Sequence, residues 1–366
     1  MYVVNTKLIY STSLRLPSLK DGNVLYITDS NTTVLLKKSK NFDPSAPHIE
    51  LEAGEGNKTF KSVEKILKKA MECGINRGGK FIGVGGGVIL DMTGFASSIY
   101  MRGIQAIYVP TTLLAMVDAS IGGKTGVDFC EVKNILGTFY LPKEVYICSD
   151  YLNSLDKVQY KSGMAEMLKI ALLNRPTLYQ KFAQHSKIKL SLNIELIKEA
   201  IEGKLEIVKS DFEEKGQRVN LNFGHTFAHS LEATLGFSSI THGEAVAWGI
   251  ARSLSLGVLL GKTDVGYRDE VVNLLASLGY STEAIPHKLR EVLERKAVES
   301  LGMETLGSNG DEVQAEIKNA IANLLIEKMK SDKKNRTAKI RFVLQKKLGL
   351  TFTEEVDESY IREVLV

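Results

Sequence analysis

The sequence predicts an α/β N-terminal domain built on a parallel-type sheet, followed by a mostly α-helical C-terminal domain. Three observations carry this reading. Short β-rich runs alternate with helical patterns over the first 150 residues, a glycine cluster joins one of those strands directly to a helix, and the strand signal almost disappears after about residue 155. A chain of 366 residues accommodates about two domains at roughly 150 residues each, and we place them at 1–155 and 156–366.

In chain order, NVLYITD (23–29), KFIGVGG (80–86), GIQAIYVP (103–110) and EVYICSD (144–150) read as strands, each bounded by turn or capping residues. Between the first two, Val63, Ile66, Leu67, Ala70 and Met71 recur at the spacing of one helical face, and Gly74 closes the run. The segment 109–134 reads as largely loop, because Gly122, Gly123 and Gly126 interrupt any long element. Beyond the boundary, Ile197, Ile201, Leu205 and Val208 mark a helical face, and comparable patterns cover 226–236, 243–261 and 311–330. KIRFVLQ (339–345) is one late β-like run.

Composition excludes several classes. Lys and Arg total 47 against 43 Asp and Glu, mixed along the chain, so no nucleic-acid partner is implied. Cys73, Cys130 and Cys148 lie far apart without CxxC spacing, which speaks against a disulfide framework or a cysteine zinc knuckle and for a reducing compartment. No apolar run reaches about 18 residues, and the first residues lack the pattern of a signal peptide. The expectation is a cytoplasmic protein with no membrane partner.

Three stretches carry chemistry. GVGGGVILD (83–91) follows a strand and enters a helix, where glycines admit a phosphate to the free amides of the helix start. It is not the common GxGxxG fingerprint, and a plain tight turn is the alternative. VPTTLLAMVDASIGGKTGVDFCEVKN (109–134) sets Thr111, Thr112, Asp118, Lys124, Lys133 and Asn134 in a glycine-rich segment suited to an anion. The third stretch, NFGHTFAHSLEATLGFSSITHGEA, holds His225, His229 and His242 in a chain with six histidines, and points to a metal. His225 and His229, four apart, share a helical face. HTFAH lacks the glutamate of the metalloprotease motif. In SGMAEMLK, Glu166 among apolar neighbours is either a further ligand or the ion-pair partner of Lys169.

Taken with YITD, GEGNK, KNILGTFYLPK, THGEAVAWG and MKSDKK in unbroken order, these strings resemble the 3-dehydroquinate synthases within the sugar-phosphate cyclase family, from about residue 24 to the C-terminus. The resemblance implies a homodimeric, NAD- and Zn2+- (or Co2+-) dependent lyase of the shikimate pathway of aromatic amino acid biosynthesis. It would convert 3-deoxy-D-arabino-heptulosonate 7-phosphate, a sugar-acid phosphate, into 3-dehydroquinate and phosphate. It assigns the metal to Glu166, His225 and His242, and so moves His229 to the substrate pocket. NAD falls to Asp29, Glu55, Lys58, Gly86, Gly87, Asp91, Thr111, Thr112, Asp118 and Lys133. The substrate phosphate falls to Lys124, Asn134, Lys169, Asn222, His229 and Lys333, with Arg102 supplied by a neighbouring subunit. Lys204 and Arg218 fall at the substrate carboxylate. The chain departs from the family pattern at Leu90, where glycine is usual, in the loop VDFCEVKN, and in NRTAK, which lacks a usual glycine. Carboxylate-free sugar phosphates and simple polyols are the competing substrates, the latter for an NAD- and metal-dependent dehydrogenase.

Overall fold

The computed structural model describes residues 5–13, 16, 23–39, 41–130, 132–185, 193–236, 239–300, 311–331 and 339–366. They divide into two compact units, one of residues 1–164 and 192–215, the other of 165–191 and 216–366.

The first unit holds strands β1 (Lys7–Ser11), β2 (Val24–Asp29), β3 (His48–Leu51), β4 (Lys80–Gly85), β5 (Gln105–Pro110), β6 (Lys124–Phe129), β7 (Val132–Phe139) and β8 (Glu144–Cys148). With them are helices α1 (Thr33–Lys38), α2 (Phe60–Glu72) and α3 (Gly87–Ile99). Six of the strands form one sheet in the order β1-β8-β5-β4-β2-β3, every pairing parallel. β2 is buried along its whole length, as a strand covered on both faces requires. α2 starts where the Thr59 hydroxyl accepts from the Ser62 amide, and buries Val63, Ile66 and Ala70 completely. Each such aliphatic side chain larger than alanine contributes about 1.5–3 kcal/mol. The order of the strands reverses between β2 and β4, so Asp29 and the Gly86–Gly87 turn both lie at carboxyl ends beside that reversal, the usual place for a ligand in an open α/β sheet.

The segment expected to be loop contains more structure than its glycines suggest. Residues 115–119 form one π-helical turn, and β6 and β7 form a separate antiparallel hairpin. Gly126 does not break this ribbon. It allows the two backbones to approach, since a Cβ there would lie 2.6 Å from the Leu136 carbonyl oxygen. β1 and β3, both at sheet edges, are further strands that the periodicity did not disclose.

Helix α4 (Lys157–Asn174) begins in the first unit and ends in the second. α5 (Pro176–His185) follows, and α6 (Ile194–Ser210) belongs to the first unit again. The second unit continues with α7 (His225–Leu235), α8 (His242–Leu259), α9 (Val265–Ser277), α10 (Arg290–Ser300) and α11 (Asp311–Ser331). It closes with β9 (Ile340–Lys347), β10 (Leu350–Val356) and α12 (Glu358–Glu363). The late β-like run is therefore one strand of a two-stranded antiparallel pair. Phe227 of α7 packs on Trp248 of α8 and on Phe342 of β9, with ring centroids 6.0 and 4.9 Å apart, and these rings centre the core of the unit. No helix among the described residues is long and apolar enough to cross a membrane.

Candidate functional site

In the second unit, α4 presents Glu166 and Lys169 one turn apart, and the two side chains are 1% and 2% exposed. Lys169 Nζ lies 2.5 Å from Glu166 Oε2, yet neither carboxylate oxygen makes a well-directed hydrogen bond to any described residue. A buried carboxylate with lone pairs left open in this way is costly unless something else occupies them.

Two histidines converge on it. His225 opens α7 after Gly224, which takes a left-handed φ of 79° as the N-cap. His242 opens α8, whose start is fixed by a capping box in which the Thr241 hydroxyl accepts from the Glu244 amide and Glu244 reaches back to Thr241. Gly249 lets the two helices approach, because a Cβ there would overlap the Gly224 carbonyl. The His225 and His242 rings are 5.3 Å apart, and their Nε2 atoms lie 3.7 and 3.4 Å from Glu166 Oε1. One donor atom from each of the three residues lies within 4.8 Å of the others. A carboxylate and two imidazoles in this arrangement suit a catalytic zinc with open positions, rather than a closed structural site. Glu166 Oε1, which both imidazoles face, fits the same ion.

Electrostatics sharpen the site. Burial opposes the Glu166 carboxylate, but Lys169 and His242 hold it down at about 2. Burial, reinforced by Lys169, pushes His225 well below the ordinary imidazole range, so it stands neutral, as a ligand must. His242 is also penalised by burial, but the Glu166 and Glu232 carboxylates on either side of its ring lift it to about 10, so a metal bound there would displace the Nε2 proton. His229 lies beside this group, its ring 5.3 Å from His225 and 6.5 Å from His242. Arg218 is buried and Asn222 donates to the Val219 carbonyl at 3.1 Å, both on the turn that precedes α7.

The cofactor candidates gather in the first unit. Thr111 donates its amide to the Gly85 carbonyl, and Thr112 Oγ1 accepts from the Ala115 amide. Gly86 and Gly87 face Thr112 and Ala119, where an added Cβ would lie at 3.4 and 3.3 Å. Asp29 spends Oδ1 on the Asn31 and Thr32 amides and the Thr32 hydroxyl. Lys58 reaches Asp91 at 2.5 Å and Asn134 at 2.6 Å; it is buried, yet Asp91 and Glu55 hold it above the ordinary lysine range. Lys133 lies 4.0 Å from Glu55. Lys204, on α6, meets the Asp118 carboxylate at 2.7 Å and its carbonyl at 2.6 Å. Asn134 accepts from Lys58 and donates its backbone amide to Asp128 at 2.8 Å.

Arg102 is exposed on a turn after α3 with left-handed φ of 68°. Lys333 lies outside the described residues. Three acids escaped the sequence reading: Glu214 pairs with Lys124, Asp128 anchors Asn134, and Glu232 meets His242. Only Glu232 left a signal, lying seven residues after His225 and thus on the same helical face.

Comparison with known proteins covers both units. Residues 48–162 match the family described as 3-dehydroquinate synthase N-terminal, and residues 163–299 the family described as 3-dehydroquinate synthase C-terminal. The 3-dehydroquinate synthase of Thermoanaerobacter pseudethanolicus is 36% identical over 361 residues, which is 95% of this chain and 91% of that protein. Among solved structures, 2-epi-5-epi-valiolone synthase from Streptomyces hygroscopicus subsp. jinggangensis, with NAD+ and Zn2+ bound, aligns at a TM-score of 0.77 and 23% identity, over 100% of this chain and 97% of that one. A 2-deoxy-scyllo-inosose synthase complexed with carbaglucose-6-phosphate, NAD+ and Co2+ aligns at 0.74 and 22%, over 98% and 95%. At these identities the two structures establish the shared fold.

Proposed function

The chain belongs to the 3-dehydroquinate synthase family, and from that premise we propose that it converts 3-deoxy-D-arabino-heptulosonate 7-phosphate into 3-dehydroquinate and inorganic phosphate. The observation that carries the reading is the convergence of Glu166, His225 and His242 in a chain that matches both halves of the family.

When bound, NAD supplies a reversible hydride acceptor and a divalent metal, zinc or cobalt, supplies a Lewis acid. Glu166, His225 and His242 would hold the metal. Asp29, Glu55, Lys58, Gly86, Gly87, Asp91, Thr111, Thr112, Asp118 and Lys133 would hold the cofactor. The resemblance assigns the phosphate to Lys124, Lys169, Asn134, Asn222 and His229, and the departing phosphate would itself take up the neighbouring ring proton, so that no protein side chain is needed as that base. The resemblance assigns the substrate carboxylate to Lys204 and Arg218; the buried, planar guanidinium of Arg218 would match a carboxylate and has no counterpart in a neutral sugar. Because NAD would be recycled in each turnover, the net reaction would be elimination and ring closure without redox change. The reading includes a homodimer in the cytoplasm, with Arg102 reaching a partner's site.

The test is direct. Purified protein given the heptulosonate phosphate, NAD and Zn2+ should release phosphate and dehydroquinate in equal amounts. Faster turnover of sedoheptulose 7-phosphate, glucose 6-phosphate or glycerol would overturn the assignment.

A further inference from the structure

We infer that Glu232 is a positioning residue for the metal, fixing the ring of His242 so that Nε2 faces Glu166. The inference rests on the metal site proposed above and adds a residue to it. His242 turns Nε2 to Glu166 Oε1 at 3.4 Å and Nδ1 to Glu232 Oε1 at 3.4 Å, so its two nitrogens meet a carboxylate on either side. Only one assignment of that ring serves a metal: Nδ1 carries the proton and donates it to Glu232, and the Nε2 lone pair is left for the ion.

The placement follows from helix geometry. His225, His229 and Glu232 stand at i, i+4 and i+7 of α7, so one stripe of this helix delivers a ligand at its first residue and an acid two turns later. The capping box holds His242 at the first turn of α8 beside that stripe. Glu232 is itself 5% exposed, and a carboxylate so buried needs an identifiable partner. His225 shows the same device in weaker form, since its Nδ1 lies 3.2 Å from the Phe223 carbonyl and its Nε2 also faces Glu166. The two histidines are therefore unequal. A carboxylate behind His242 raises the basicity of the ring more than a neutral carbonyl does behind His225, which makes His242 the stronger donor.

The competing role for Glu232 is structural, as an acid beside the N-terminus of α8. A structural acid would alter folding stability and leave the metal untouched. Zinc affinity is therefore measured by chelator competition on the wild type, Glu232→Ala, Glu232→Gln and His242→Ala, together with the visible absorption of each protein loaded with Co2+ and the melting of each apo protein. Glu232→Ala should weaken zinc about 10–100-fold and alter the cobalt spectrum. Glu232→Gln, which keeps an acceptor oxygen but no charge, should fall between it and wild type. Zinc affinity within twofold of wild type and an unchanged cobalt spectrum in Glu232→Ala would overturn the inference; if that chain does not fold, the same result in Glu232→Gln does so. Undiminished zinc binding by His242→Ala would instead refute the metal site itself.

Discussion

Replacing Gly94 by alanine sets two known effects against each other in the helix that follows the glycine turn. In an ordinary helix interior the change stabilises by about 1 kcal/mol, because alanine has the better helix propensity. Here the new methyl would overlap the Tyr108 hydroxyl of β5 and the Thr125 methyl of β6, both inside 3.0 Å. Tyr108 is 2% exposed and cannot swing aside, so α3 must move or the ring must strain. Overpacking of this kind costs about 1–3 kcal/mol or more, and with two obstacles the upper end applies. The net expectation is a loss of about 2 kcal/mol, or about 4–8 °C in melting temperature for a unit of this size. Tyr108→Phe supplies the internal control. The Tyr108 hydroxyl is buried and makes no hydrogen bond to a described residue, so its removal alone should be neutral or mildly stabilising. Combined with Gly94→Ala it should recover part of the loss, a coupling readable as non-additivity in urea denaturation. A Gly94→Ala protein that melts above wild type would refute the packing argument, since propensity alone would then decide. Asp91 and the Gly86–Gly87 turn, proposed above to hold NAD, ride on the same helix, so NAD affinity should fall along with stability.

Three further outcomes are expected. Arg218→Ala should lower kcat/KM for the heptulosonate phosphate about a hundredfold or more, as loss of a charged hydrogen bond worth about 3 kcal/mol predicts, with zinc content unchanged by elemental analysis. His242→Ala should lose both activity and stoichiometric zinc, and full occupancy in that protein would be inconsistent with the site. Phosphate release should proceed without accumulating NADH at 340 nm, whereas NADH rising in step with turnover of a polyol would identify a dehydrogenase.

The parts of the fold that the sequence disclosed are those with strong periodicity. α2, α7, α8 and α11 bury a continuous face, and β2, β4, β5 and β8 are apolar runs closed by turn residues. The β6–β7 hairpin was hidden because its glycines serve close backbone approach, which looks the same in one dimension as interruption. β3 has only four residues and lies at an edge, too short for alternation to register. In the metal group the histidines were conspicuous through rarity, but Glu166 was ambiguous on spacing alone, since a Glu–Lys pair one turn apart is an ordinary helical motif. The structure contains both the pair and the convergence, with Lys169 on one oxygen and the two imidazoles facing the other. Glu214 was illegible for another reason: its partner, Lys124, stands 90 positions earlier in the chain, an approach that no residue spacing encodes.

The path of the chain between the two compact units has a consequence for how such a protein can be cut or shuffled. It passes from one unit to the other near residues 164, 191 and 215, so no single break separates them. A fragment ending at 164 would leave behind α6, and with it the lysine that neutralises Asp118. Its complement would begin inside α4 and carry a helix whose buried face belongs elsewhere. Gene fusions, split reporters and chimaeras between relatives therefore inherit a topological rule: residues 192–215 travel with the N-terminal sheet, although a linear map assigns them to the other half.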